Sequence, residues 1–236
     1  MQFFAQGSFV GQLFYIWGMN NAIAIPAEIK NDELYENIIQ TIHMFSSEIK
    51  TVLEVGASSG DGSTEALALG MSSLDKKTLY TIEASPVRFK NLKERYKRVS
   101  WVKPINGSSV HLNEYMTKGS VMLFHNLIPT QLNEYPLETV FDWYDKELTA
   151  IKYWNIPTGV MEKIKPDLAL LDGSPFTGYA EYLKVAGAKI IILDDILDIK
   201  HYYSHQALRN NNNYECLFCN LTLRNGYSIW VRKDIL

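Results

Sequence analysis

The sequence predicts an α/β fold, a doubly wound and mostly parallel sheet that ends in an antiparallel hairpin. Short apolar runs alternate with helical patterns at intervals of about 25 residues, which is typical of right-handed βαβ units. Near-continuous apolar runs in the second half indicate strands that are covered on both faces. The chain closes with two β-rich runs around the hairpin signal Asn225–Gly226.

The first half of the chain is predicted to begin with one helix, followed by three strands that alternate with helices. Apolar residues recur at helical spacing from Asn31 to Ser47, behind Asn31 and Asp32 as caps, and predict an amphipathic helix. Alternating strands and helices follow in this order: Thr51–Val55 as a strand, Gly62–Ser72 as a helix, Thr78–Ile82 as a strand, Pro86–Lys97 as a helix and Trp101–Ile105 as a strand.

The alternation stops between residues 112 and 165, which we interpret as a helical insertion rich in aromatic residues. It resumes with four further strands and one helix, which bring the sheet to seven strands. These elements are Leu168–Leu171, Lys189–Leu193, Tyr214–Leu223 and Tyr227–Arg232 as strands, and Lys200–Asn210 as a helix. We expect one domain over residues 1–236, with residues 1–48 as an N-terminal helical or lid segment.

Composition limits the function classes. With 236 residues and 47% hydrophobic content, the chain can close one sizeable core. A net charge of -3 gives no basic excess for nucleic-acid phosphates, so a nucleic-acid partner is not expected. No positive segment precedes Lys30, and no apolar run reaches the roughly 20 residues of a membrane span. We therefore expect a soluble, cytoplasmic protein without a membrane partner.

The two cysteines form a C-x-x-C pattern inside a predicted strand. Residues three apart in a regular strand point to opposite faces, which disfavours a shared zinc or redox site. Cys216 and Cys219 are therefore expected to be buried, reduced thiols.

A glycine-rich turn follows the first strand, where open α/β sheets bind ligands. The spacing of Gly56, Gly60 and Gly62 departs from the dinucleotide fingerprint, and no Walker lysine follows. A turn that serves packing alone is the alternative. Two acids favour a ligand-binding turn over one that serves packing alone. Glu83 ends the second strand, where a carboxylate can accept hydrogen bonds from ribose hydroxyls. Glu54 would repel a pyrophosphate but suits a ligand with an ammonium and a sulfonium.

These residues resemble the class I S-adenosylmethionine-dependent methyltransferases, which have a Rossmann-like sheet. The resemblance covers about residues 51–236 and is carried by Glu54-x-Gly56-x-x-x-Gly60, Glu83–Ala84, Asn106–Gly107–Ser108 and Asp172–Gly173. It implies S-adenosylmethionine as cofactor, with Gly56, Ala57 and Gly60 under the methionine part, Glu83 and Ala84 at the ribose, and Gly107 and Ser108 near the adenine. Glu54 and Asp172 are also counted as cofactor-binding residues. Ser108 stands where the family often has Asp.

Three carboxylates end two successive strands of the second half. Asp172, Asp194 and Asp195 should converge above the sheet, and such hard oxygen ligands could hold a divalent metal such as Mg²⁺. The arrangement is similar to that of catechol-type, metal-dependent O-methyltransferases, although the spacing from Asp172 to Asp194 is shorter than expected for that group. The alternative is that these acids are solvated or cap helices.

Methyl transfer requires alignment of the two partners and removal of a proton from the acceptor. Asp172 could act as base or orienter. His201 and His205 lie four residues apart on a predicted helix, so both could face one side of it. His201 is the candidate base or extra metal ligand. The alternative is that both histidines are partly exposed on the helix surface and have no role in the site. The loop 172–179 is the candidate rim on the acceptor side.

The aromatic residues from Tyr135 to Trp154 could form a lid over an apolar or sugar-like acceptor, pack the insertion onto the domain, or form the contact of a homodimer. The resulting expectation is a methyltransferase that acts on a small-molecule acceptor at oxygen. One alternative is a protein that keeps this fold and binds S-adenosylmethionine or a related nucleoside without turnover, in a binding or assembly role. A nucleotide-dependent dehydrogenase is disfavoured by the glycine spacing.

Overall fold

The computed structural model of the protein describes residues 29–236. The prediction of an N-terminal helical or lid segment over residues 1–48 therefore falls outside the described residues for its first 28 positions. Within residues 29–236, no helix is long and apolar enough to cross a membrane.

In the part of the chain that the structure describes, the strands of the sheet are β1 Thr51–Val55, β2 Thr78–Glu83, β3 Val102–Asn106, β4 Leu168–Leu171, β5 Ile190–Asp194, β6 Tyr214–Asn220 and β7 Tyr227–Arg232. These seven strands lie in the order β3-β2-β1-β4-β5-β7-β6. All neighbouring strands pair in parallel except β7, which is antiparallel to both β5 and β6. This arrangement confirms the predicted doubly wound sheet and its closing hairpin. The strand order reverses between β1 and β4, which opens a crevice at the carboxyl ends of the strands.

Helices connect the strands, and local sequence explains where two of them begin. Asp32 caps the first helix by accepting a hydrogen bond from the backbone N–H of Tyr35, and Ser85 caps the third, with Pro86 in its first turn. The helices of the described region are α1 Glu33–Met44, α2 Ser63–Met71, α3 Pro86–Tyr96, α4 Lys118–Leu127, α5 Leu137–Tyr153, α6 Gly178–Val185 and α7 Tyr202–Arg209, with 3₁₀ turns at Leu112–Glu114, Gln131–Glu134 and Lys233–Ile235.

Each face of the sheet carries its own hydrophobic core. Along β1, Leu53 and Val55 face the core that contains α4 and α5, while Val52 faces the core that contains α1 and α2. The strands β4 and β5 are buried along their whole lengths, which explains why their sequences read as continuous apolar runs.

The aromatic residues of region 112–165 divide between core and surface. Trp143 of α5 is buried, and Tyr144 packs edge to face on Phe176 with ring centroids 5.1 Å apart. Tyr153 and Trp154, at the end of α5, are exposed. Packing against the domain therefore accounts for the first part of this aromatic set and leaves the last two residues on the surface.

The predictions that the two cysteines are buried and point to opposite faces are wrong, whereas both are free thiols as expected. Cys216 and Cys219 are exposed, and their thiols are hydrogen-bonded to each other. A β-bulge between Cys216 and Phe218 adds one residue to β6, so Cys216 pairs with Trp230 and Cys219 with Ser228, two positions apart on β7. The bulge thus puts both thiols on one face of the sheet's edge strand.

Candidate active site

The glycine turn joins the ends of β1, β2 and β4. The backbone N–H groups of Gly56 and Ala57 both donate to the carbonyl of Ile82 at 3.0 Å. Gly56 has φ 89°, and a Cβ atom at this position would collide with the backbone carbonyl of Asp172. A glycine is therefore required where β1 ends, because any side chain would push β4 away.

Gly60, by contrast, faces helix α3 rather than the crevice. A Cβ on Gly60 would lie 2.7 Å from Leu92 and 2.8 Å from Tyr96, and the Tyr96 hydroxyl donates to the carbonyl of Gly60 at 2.7 Å. This glycine serves the packing of the turn on α3, so its predicted place under the methionine part has no direct contact to support it.

Glu83 is held at the end of β2 by the backbone. Its carboxylate accepts hydrogen bonds from the N–H of Ser58 at 2.8 Å and of Ser85 at 2.7 Å. The Asn106 side-chain amide donates to the carbonyls of Glu83 and Ala84, which ties β3 to the same loop. Burial raises the pKa of Glu83. The carboxyl group is thus oriented before any ligand arrives.

Glu54 lies behind the turn. It is fully buried and accepts hydrogen bonds from the hydroxyls of Ser63 and Thr64, both at 2.7 Å. Burial raises the pKa of Glu54 to about 7. These bonds anchor the first turn of α2, and a direct contact of Glu54 with a ligand stays a prediction.

The turn after β3 approaches its neighbours closely. A Cβ on Gly107 would lie 2.5 Å from the side chain of Val160, and the Ser108 hydroxyl donates to the carbonyl of Val110 at 3.0 Å. The same hydroxyl is 3.2 Å from that of Tyr115. The backbone N–H of Ser108 also donates to the carbonyl of Pro157 at 2.8 Å. These hydrogen bonds fix the loop, and a direct contact of Ser108 with a ligand stays a prediction.

Two buried acids that the sequence analysis did not single out also line the site. Glu147 of α5 accepts hydrogen bonds from Ser174, at 2.9 Å, and from Tyr115, and burial raises its pKa to about 7. Glu181 of α6 accepts from Ser109 at 2.5 Å and from Thr177 at 2.7 Å, while its Oε2 has no partner among the described residues.

Helical spacing could have revealed Glu147. It lies on the buried stripe of α5 with Val140, Trp143, Ala150 and Ile151. A carboxylate on the apolar stripe of a helix is costly to bury and needs a reason.

The acids after β4 and β5 meet as predicted. Asp172, Asp194 and Asp195 each bring a carboxylate oxygen within 4.8 Å of the others. The ammonium of Lys200 lies 2.7 Å from Asp172 Oδ1 and 2.5 Å from Asp195 Oδ2. The sequence pattern places this residue at the start of a helix and not in the site, but the helix begins at Tyr202. Burial acts to lower the pKa of Lys200, but these two acids raise it well above its usual range, so the ammonium keeps its proton.

Arg224, in the hairpin turn, neutralises the third acid. Its Nη2 donates to both oxygens of Asp194, at 2.9 and 3.1 Å, and its Nη1 pairs with Asp32, the N-cap of α1. The three carboxylates are spaced closely enough for a divalent metal, but all three are already ion-paired within the protein. The donor set therefore does not fit a metal ion while Lys200 keeps this position.

The histidines do not reach the crevice. His201 is fully buried, its Nδ1 lies 3.4 Å from the Ser204 hydroxyl, and burial lowers its pKa to about 3. His205 is buried against Trp230, and its Nδ1 lies 3.1 Å from the Ser228 hydroxyl. The reading of both histidines as partly exposed is wrong, and the position of His201 does not support a role as catalytic base.

One cavity of about 270 Å³ brings most of the predicted site residues together at the carboxyl ends of the strands. The loop 172–179 contributes Gly173, Ser174 and Thr177 to its wall, beside Glu147, Glu181, Lys200 and Arg224. The predicted residues that line it are Gly56, Ala57, Glu83, Ala84, Gly107, Ser108, Asp172, Asp194 and Asp195.

No protein-family model matches the chain, and no curated protein matches it. Solved structures do match. An O-methyltransferase from Bacillus cereus in complex with S-adenosylhomocysteine (SAH) is 14% identical, with a TM-score of 0.54 over 88% of this chain and 84% of that chain. An SAH-bound methyltransferase from Podospora anserina is 16% identical, with a TM-score of 0.50 over 88% of this chain and 81% of that one.

The O-methyltransferase TomG from Streptomyces achromogenes, in complex with S-adenosylmethionine, is 11% identical, with a TM-score of 0.50 over 89% of this chain and 81% of that chain. At such low sequence identity these likenesses establish the fold. The chain therefore has the class I methyltransferase fold that its sequence predicts.

Proposed function

We propose that the protein is an S-adenosylmethionine-dependent methyltransferase that acts on a small-molecule acceptor at oxygen. The observation that carries this proposal is the Glu83 carboxylate, fixed by two backbone N–H groups and facing the same cavity as Gly56 and Asp172. This carboxylate can accept hydrogen bonds from ribose hydroxyls at the end of β2. The glycine turn at the end of β1 lies beside it, and together they suit an adenosine ligand. The bound ligands of the neighbouring structures agree with it.

The reaction would be an in-line displacement in which the acceptor oxygen attacks the methyl carbon and the sulfonium leaves as a neutral thioether. The protein must align the two partners and accept the acceptor proton. Because Asp172 is paired with Lys200, it suits the task of orienting the acceptor better than that of a base. Glu147, with its pKa near 7, is the cavity carboxyl best matched to taking up a proton at neutral pH.

Cofactor binding tests the proposal most directly. Isothermal titration calorimetry with SAH should detect binding to the wild-type protein, and Glu83→Ala should weaken it by about tenfold or more, since a charge-assisted contact to the ribose is lost. Glu94→Ala, which removes an exposed glutamate on α3, is the matched control and should bind as the wild type does. Equal SAH affinity in Glu83→Ala and Glu94→Ala would remove Glu83 from the site.

A second candidate is a protein that binds the cofactor in a binding or assembly role without turnover. It is favoured by the buried position of His201 and by the pairing of Asp172 with Lys200, because neither of the two predicted catalytic residues is then placed to take a proton from an acceptor. Transfer of a radiolabelled methyl group to any member of a broad panel of hydroxyl compounds would end this alternative. SAH binding without transfer across the panel would support it.

A further inference from the structure

The acid cluster at the ends of β4 and β5 contains its own cation. The side chains of Asp172, Asp195 and Lys200 are 21%, 17% and 11% exposed, so water screens their interactions only partly. The Lys200 ammonium lies between the two carboxylates, within hydrogen-bond distance of one oxygen from each. It therefore bridges the two strand ends in the way that a bound metal ion would.

We propose that Lys200 is the resident cation of this cluster and excludes divalent metal ions from it. This inference concerns the ion pairs alone and does not depend on the proposed methyltransferase activity. It also supplies a physical reason why the metal predicted from the three acids would not bind.

The charges of the cluster support this assignment. Three carboxylates face two cations, because Arg224 holds both oxygens of Asp194 while Lys200 holds Asp172 and Asp195. A divalent ion between these carboxylates would have to share them with Lys200 and Arg224, and it would lie beside an ammonium of like charge. It would also have to expel Lys200 from its partners, and an unpaired ammonium in a part-buried site is costly.

Removing the ammonium should reverse the exclusion. In Lys200→Met the carboxylates of Asp172 and Asp195 lose their shared partner and remain close together, which is the arrangement that hard divalent cations prefer. Removal of the Lys200 charge from the centre of the cluster also strengthens the attraction of the carboxylates for a divalent cation. The variant should therefore acquire the metal site that the wild-type protein lacks.

The experiment is a titration with Mn²⁺, followed by the electron paramagnetic resonance signal of the free ion. We expect Lys200→Met to bind Mn²⁺ about tenfold or more tightly than the wild type. The double variant Lys200→Met/Asp172→Asn should lose this gain. Lys189→Met is the matched control, because Lys189 also lies between two carboxylates, Glu48 and Asp167, but outside any three-ligand cluster of the described residues.

The Asp172→Asn change also shows at which group of residues Mn²⁺ binds. The described residues contain another group with metal-ligand spacing, which consists of His111, Glu114 and Glu162. Binding of Mn²⁺ at that group would not respond to a change at Asp172. Wild-type binding of Mn²⁺ that is as tight as in Lys200→Met and is lost in Asp172→Asn would overturn the proposal. A folded Lys200→Met without any gain would also overturn it. If Lys200→Met does not fold, Lys200→Gln is expected to show the same gain in Mn²⁺ affinity. The titration of the wild-type protein still decides whether the cluster excludes the ion.

Discussion

The backbone carbonyl of Asp172 occupies the space that a side chain on Gly56 would need. The backbone N–H of Asp172 also donates to the carbonyl of Val55 at 3.0 Å, so the ends of β1 and β4 meet without an intervening side chain. This contact fixes the distance between the glycine turn and the acid cluster across the crevice.

Gly56→Ala should therefore destabilise the protein and weaken SAH binding together. The left-handed backbone and the collision with Asp172 should lower the free energy of unfolding by about 2 kcal/mol or more. Urea unfolding and calorimetry measure the two effects. Gly187→Ala is the control, since a Cβ on Gly187 meets nothing within 4 Å. Equal stability of the two variants would contradict the close approach.

Glu147 should make the protein less stable as the pH rises. Its pKa is raised from 4.5 to about 7 by burial, so between these values the native state binds more protons than the unfolded state. The contribution lost across this window is on the order of 3 kcal/mol at most. Glu147→Gln should remove it, so the variant should gain stability relative to the wild type between pH 5 and pH 8. Urea unfolding at both pH values is the measurement.

The exposed Glu94 provides the control for the chemical change itself, and the effect of Glu94→Gln at each pH is the baseline against which Glu147→Gln is compared. A difference between Glu147→Gln and the wild type that stays constant from pH 5 to pH 8 would mean that Glu147 is ionised throughout this range.

His201→Asn should affect stability rather than the site. Because His201 is fully buried and its pKa is lowered to about 3, the imidazole is neutral at ordinary pH and lies outside the cavity wall. The substitution should cost about 1–3 kcal/mol in the free energy of unfolding, through lost packing. SAH affinity, measured by calorimetry on the folded variant, should stay within about twofold of the wild type. A larger loss of affinity at unchanged stability would return His201 to the site.

Cys216 and Cys219 should both react with Ellman's reagent in the native protein. Their exposure on the edge strand β6 leaves them accessible without unfolding. The thiol count measured in buffer should equal the count in denaturant, and each of Cys216→Ser and Cys219→Ser should lower it by one. Reaction that appears only in denaturant would show that the thiols are covered.

The sheet was predictable because its signals are local and repeated. Apolar runs at β4 and β5, the glycine turn after β1 and the hairpin signal each depend on a few neighbouring residues. The acids at the strand ends were predictable for the same reason, since parallel strands bring their carboxyl ends to one edge.

The cations of the site were not predictable in this way. Lys200 lies in the connection between β5 and α7, and Arg224 in the turn before β7, and neither position has a spacing that identifies it. Only the folded chain shows that both side chains return to the strand ends. The prediction that the two cysteines point to opposite faces failed through one inserted residue, because a bulge changes which side chains share a face and leaves no mark in the hydrophobic pattern.

The guanidinium of Arg224 serves two partners at once, the N-cap Asp32 and the strand-end Asp194. The start of α1 and the electrostatic balance of the crevice are consequently linked by a single side chain. A disturbance that detaches Asp32 from Arg224 alters the field at Asp194, and a ligand that competes for Arg224 loosens the start of α1. By the reciprocity of linked equilibria, the amount by which such a ligand favours detachment of Asp32 equals the amount by which detachment of Asp32 changes the binding free energy of that ligand.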